Sequence, residues 1–127
     1  MQVAQRGESS SSSGYKTIDR FYVEFGGNSG TQSRSDVASG TTPYTLGFRK
    51  ALKLTNSSQS AGSGDLTIIN YTIEAQDIAN SGWNYVDPNS KITLSFWVKS
   101  SVPQNFYGRL YSYDGTAQGI GSWLGNY

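Results

Sequence analysis

The chain has no cysteine and no histidine among its 127 residues. Without cysteine there are no disulfides, no thiolate metal sites and no thiol nucleophile. Without histidine every triad that uses an imidazole base is excluded as well. Charge is scarce and balanced, with Lys+Arg 10 against Asp+Glu 9 and a net charge of +1. No cluster of basic residues offers the electrostatic grip that nucleic acid demands, so no nucleic-acid partner is expected. No apolar run approaches the roughly 20 residues that span a bilayer, so no membrane insertion is expected. Residues 1–7 hold one arginine and no apolar core, and do not read as a signal peptide.

What is abundant is aromatic: nine Tyr, five Phe and three Trp. Such residues favour pleated, half-buried surfaces. The clearest pattern is residues 91–101, K-I-T-L-S-F-W-V-K-S-S. Ile92, Leu94, Phe96 and Val98 alternate with Thr93, Ser95, Trp97 and Lys99, the period of a strand with one buried and one wet face. The wet side then carries Trp97 between hydroxyls and a lysine.

The rest of the chain reads the same way. Residues 15–25 alternate, with Asp19, Phe21, Val23 and Phe25 on one face and Ile18, Arg20, Tyr22 and Glu24 on the other. Residues 31–37 are polar and read as a weak edge strand. Pro43 is expected to hold Thr42 extended. Residues 48–55 point Leu52 and Leu54 inward. Residues 66–75 point Ile69, Tyr71 and Ile73 inward. Residues 77–90, with S-G-W-N-Y and D-P-N-S, have turn chemistry. Residues 105–114 place Tyr107, Arg109, Tyr111 and Tyr113 on one face. Asp114-Gly115 marks a turn, and residues 116–127 show no closing pattern. The five serines at 9–13 read as a flexible loop or linker, so the expected organisation is an N-terminal arm and Ser-rich linker at 1–14 and a β-sandwich domain at 15–127.

Strands separated by turns, with no long amphipathic helix, predict an all-β fold: an antiparallel two-sheet sandwich of the jelly-roll kind. A jelly roll needs about eight strands. The patterns supply five clear ones and up to three weaker ones, so the sandwich is expected to be incomplete at the C-terminus, with an open sheet edge.

Four runs carry a resemblance: Y-K-T-I-D-R-F at 15–21, D-V-A-S-G-T-T-P-Y-T-L-G-F-R-K at 36–50, I-E-A-Q-D-I-A-N-S-G-W-N-Y at 73–85, and L-S-F-W-V-K-S-S-V-P-Q-N-F-Y-G at 94–108. Together they resemble marine cyanophage virion structural proteins, which look like phage tail-fibre proteins with a carbohydrate-binding-like jelly roll. The opening M-Q-V-A-Q-R-G is similar to the later half of a motif that starts earlier in such proteins, and their pattern runs on past Tyr127. The resemblance implies part of a larger virion protein, in a tail fibre or a capsid decoration, located in the virion. Its implied partners are other virion subunits, a homo-oligomer with a trimer as the tail-fibre form, and host surface glycans. It carries over no binding residues.

The residues themselves nominate candidates for sugar binding. Aromatic rings stack on the apolar faces of pyranose rings, while guanidinium and amide groups meet the hydroxyls. One set is Trp97, Tyr107, Arg109, Tyr111 and Tyr113, provided their two strands are neighbours in one sheet. A second set is Trp83, Asn84 and Tyr85. The competing reading is that these rings pack under another sheet, loop or subunit. A stand-alone carbohydrate-binding module of a larger secreted or surface protein is the alternative to the virion role. Glycoside hydrolysis needs two carboxylates about 5–10 Å apart. Glu74 and Asp77 lie close in sequence but read as surface and turn residues, and no enzyme is expected. Calcium occurs in jelly rolls, but there is no EF-hand spacing and no ligands are assigned; no cofactor is expected.

Overall fold

A computed structural model describes residues 3–57, 62–84, 86–113 and 117–126, with the backbone alone for 113 and 117–126. The fold is all-β, with two short helices among the described residues. The chain divides into two compact units, Met1–Ile92 and Thr93–Tyr127.

The first unit holds two antiparallel sheets. One is built from β1 (Ser9–Ser10), β3 (Gly30–Asp36) and β4 (Lys50–Asn56), in the order β1-β3-β4. The other pairs β2 (Phe21–Gly26) with β5 (Leu66–Tyr71). Consecutive strands β2 and β3 therefore belong to different sheets, and the intervening residues 27–29 carry the chain across. Gly27 turns there at φ +71, and a Cβ on it would collide with the Asp65 carboxylate. The same end is stitched by side chains. Asn28 Nδ2 donates to Thr67 Oγ1 at 3.1 Å, and Thr67 Oγ1 donates to Asn56 Oδ1 at 3.1 Å, joining β5 to β4.

The polar strand β3 is central in its sheet, not an edge as its composition predicts. Its amide and charged side chains, Gln32, Arg34 and Asp36, all find partners. Gln32 is fully buried, and its amide donates to Ser12 O at 2.8 Å and Gly14 O at 3.2 Å. Arg34 makes a two-pronged pair with Glu8. Lys50 on β4 faces Asp36 across the ladder. Buried polar groups are tolerated where hydrogen bonds replace water.

The serine run is also woven in. Ser9 and Ser10 pair with Ser33 and Gln32, Ser13 Oγ accepts from the Phe25 amide at 2.9 Å, and Gly14 bridges Val23.

The fully buried apolar side chains among the described residues are Ile18 and Val23, joined by Thr17 and Gln32. Strand alternation puts Ile18 and Val23 on opposite faces, yet both are inside. Residues 15–20 form no strand, so alternation does not apply to Ile18; Arg20, at φ +68, turns the chain just before β2 begins at Phe21. The Arg20 guanidinium pairs with Asp77 at 2.5 Å and Glu74 at 3.5 Å. Asp19 stands near Arg6 at 3.8 Å.

The helices are brief. α1 (Thr42–Thr45) has Pro43 in its first turn, where a missing N–H costs nothing. Thr42 is thus helical, and the extended residue is Thr41, with ψ 153. β5 ends at Tyr71, short of the strand expected through 75, and α2 (Ala75–Asn80) occupies the start of the stretch expected to be turns from 77 on. No helix among the described residues is long and apolar enough to cross a membrane.

The second unit holds a hairpin of β6 (Asn105–Tyr113) and β7 (Ala117–Asn126). Before it, residues 91–104 form no strand. Ile92, Leu94, Phe96, Trp97 and Val98 are all exposed, at 40–56%. The alternation at 91–101 describes a side-chain pattern; a strand also needs a ladder, and no described strand supplies one. Ile69, Tyr71 and Ile73, expected inward, are likewise 43–50% exposed.

Candidate functional site

The sequence-nominated residues fall into three places. Tyr107, Arg109 and Tyr111 lie on one face of β6 and are exposed; Phe106, Gly108 and Leu110 alternate with them and are half-buried. This strand behaves as its two-residue period demands. Tyr107 is 79% exposed and Tyr111 51%. Arg109 Nη1 donates to the Tyr111 hydroxyl at 2.9 Å. That hydrogen bond, with the attraction of the Tyr111 oxygen, raises the Arg109 pKa above its ordinary value, so the guanidinium is a fixed cation in water. Tyr113 ends the strand, and its side chain lies outside the described residues.

The hairpin register is irregular beside this face. Leu110 stands opposite Gly121 and Tyr111 opposite Gly119, so the ladder skips Ile120 between them. One strand then has an extra residue, a β-bulge, which sharpens the local twist. Across from Arg109 stands Ser122, and across from Tyr107 stands Leu124. Strand β7 itself escaped notice in the sequence, because its glycines at 119, 121 and 125 depress strand propensity.

Trp97 is 56% exposed but lies outside any strand. The condition that set it beside Tyr107 and Arg109, adjacent strands in one sheet, is not met: the described partner of β6 is β7. Trp83 is half-buried in the turn after α2, where its amide donates to Ser81 Oγ at 3.2 Å. Asn84 is exposed beside it, and Tyr85 falls outside the described residues. The structure thus groups Tyr107, Arg109 and Tyr111.

A second aromatic and arginine pair, not nominated from the sequence, joins α1 to the residues just after it. The Arg49 guanidinium sits 4.0 Å over the Tyr44 ring and donates to the Tyr44 carbonyl at 2.6 Å. Here the cation already covers one ring face, so that face cannot stack on a sugar. The run P-Y-T-L-G-F-R holds the signal, an aromatic and an arginine five residues apart around a glycine.

The nearest thing to a carboxylate pair is Glu74 with Asp77. Both are engaged by Arg20, whose pKa is raised first by its hydrogen bond to Asp77, then by those to Tyr71 and the charges of Asp77 and Glu74.

Compared with known proteins, the chain matches no protein family, no curated protein and no solved structure.

Proposed function

We propose that this chain is a structural component of a phage virion, a tail-fibre or capsid-decoration part, that also holds host surface glycans. The underlying architecture in this reading is a jelly-roll sandwich completed by neighbouring chain segments or subunits. The role is binding and assembly, not catalysis. The observation that carries the glycan half is the open face of β6. It presents two exposed tyrosine rings with a charged guanidinium between them, and that guanidinium is tethered to Tyr111. Rings supply stacking surface for a pyranose, and Arg109 supplies donors for its hydroxyls or an acidic substituent. The Tyr111 hydroxyl gives Arg109 one anchor on this face, which reduces the ordering that binding requires. The assembly half rests on the sequence resemblance and on the exposed apolar rows of both units.

The test is to locate the chain in an intact particle by cryo-electron microscopy. The expected result is repeated copies meeting through apolar strand edges, with Tyr107 and Arg109 turned to the outside. Absence of the chain from purified particles would end the virion reading. Burial of the Tyr107 face against another subunit would end the glycan reading alone.

A further inference from the structure

We propose that residues 91–101 of one copy add as an antiparallel strand to the open edge of β5 in a second copy. It names a surface for the assembly half of the function above and rests on that half; it is independent of glycan binding.

Three observations lead to it. First, β5 is an unguarded edge. Its ladder is with β2, and among the described residues its other side is bonded to no strand. The six residues L-T-I-I-N-Y contain no charge, proline or glycine. Exposed edges in natural sheets are blunted by lysine, by proline or by extreme shortness. The other sheet of this unit obeys that rule: β1 has two residues, and β4 carries Lys50 and Lys53. Among the described strands of this unit, β5 has none of these guards, with Leu66, Ile69, Tyr71 and the following Ile73 at 41–50% exposure.

Second, residues 91–101 have the side-chain pattern of a strand but are assigned to none. Ile92, Leu94 and Val98 are 40–52% exposed along one side of that pattern. Among the described residues, an edge that no strand covers and a strand pattern assigned to no strand thus coexist in one sequence.

Third, the two match in both polarity and charge. Set antiparallel, with Ser95 opposite Asn70, the segment places Ile92 against Ile73, Leu94 against Tyr71, Phe96 against Ile69 and Val98 against Thr67. The apolar stripe thus falls on the phase of Ile69, Tyr71 and Ile73, and cross-strand pairs share a face. The same register sets Lys91 against Glu74 and Lys99 against Leu66, next to Asp65. Glu74 and Asp77 are two carboxylates sharing one guanidinium, that of Arg20, so that end of β5 keeps a surplus negative charge for Lys91. The antiparallel sense follows the rest of the molecule, in which every named ladder is antiparallel, and such pairs are the more stable per residue. Reciprocal exchange between two copies would close as a symmetric dimer, and one-way donation would build a ring or a filament.

The experiment uses the full chain, which has no cysteine of its own to confuse the result. Thr72→Cys and Thr93→Cys stand directly opposite in this register, and both positions are exposed. The two single variants are mixed and oxidised. Opposed strand positions bring Cβ atoms to about 4.5–5.5 Å, close enough for a disulfide after small adjustment. The expected result is a band of doubled mass on a non-reducing denaturing gel from the mixture, and not from either variant alone. Light scattering should give wild type a mass of two copies or more and Leu94→Lys the mass of one. Leu94 lies outside every strand, so this change does not touch the existing ladders. A wild-type monomer would overturn both this inference and the assembly reading. A wild-type oligomer whose mixed variants fail to cross-link, or a double variant that closes within a single diluted chain, would overturn the inference and leave assembly standing.

Discussion

The Thr17 hydroxyl donates to the Gln32 side-chain carbonyl at 3.0 Å, and both residues are buried to 1% or less. Through this bond the polar centre of β3 holds the N-terminal serine run, because the other end of the Gln32 amide donates to Ser12 O and Gly14 O. Gln32→Leu removes three hydrogen bonds at once and leaves the Thr17 hydroxyl buried without its acceptor. The expected loss is about 1–3 kcal/mol in urea unfolding, the cost of orphaned buried groups. Adding Thr17→Val to Gln32→Leu should cost less than the sum of the two single changes, since the residues act as a unit.

Arg20 holds a left-handed backbone that costs an ordinary residue roughly 1–2 kcal/mol. Its ion pairs are half-exposed and contribute little. Arg20→Gly should therefore be more stable than Arg20→Ala by about 1 kcal/mol, a reversal of the usual preference. Urea midpoints of the two variants decide it; an alanine variant as stable as the glycine one would contradict the strained turn.

Gly27 combines a positive φ with a Cβ path blocked by Asp65. Gly27→Ala should destabilise the first unit by more than 1 kcal/mol, the combined effect of strain and displacement. Asp65→Ala in the same chain removes the obstacle and should restore part of the loss. Full restoration would mean that backbone strain contributes nothing there.

Lys50 beside Asp36 holds that carboxyl below its ordinary value, first by hydrogen bonding and then by charge. A folded-state value depressed in this way stabilises the fold above the unfolded value of about 3.9 and loses that contribution as the pH falls below it. Asp36→Asn should therefore flatten the acid limb of stability below about pH 4. The pair is at the surface, with Asp36 81% exposed, so salt should shrink the difference between variant and wild type.

The all-β class was legible because Val23, Leu52 and Tyr107 sit on unbroken alternation. The phase between Ile18 and Val23 was not, since nothing in the composition marks Arg20 as left-handed. Polar β3 looked like an edge because Gln32 and Arg34 find their partners in Ser12, Gly14 and Glu8, which are remote in sequence or hidden in a serine run. Trp97 misled in the opposite sense. Its neighbours alternate cleanly, but alternation states which side chains could share a face, not which strand lies alongside. The β6 face was legible as a pattern, and the Arg109–Tyr111 bond follows from their two-residue spacing. The bulge opposite it depends on β7 and its glycines.

Tyr107 is 79% exposed, so Tyr107→Ala should change stability by no more than about 0.5 kcal/mol. The direct measurement is a glycan array run with the assembled wild-type protein beside folded Tyr107→Ala and Arg109→Ala. The expected result is binding by wild type to at least one surface glycan, reduced tenfold or more in each variant, a loss of about 1.4 kcal/mol. No glycan bound by wild type, or glycan bound equally by all three, would contradict a binding face on β6.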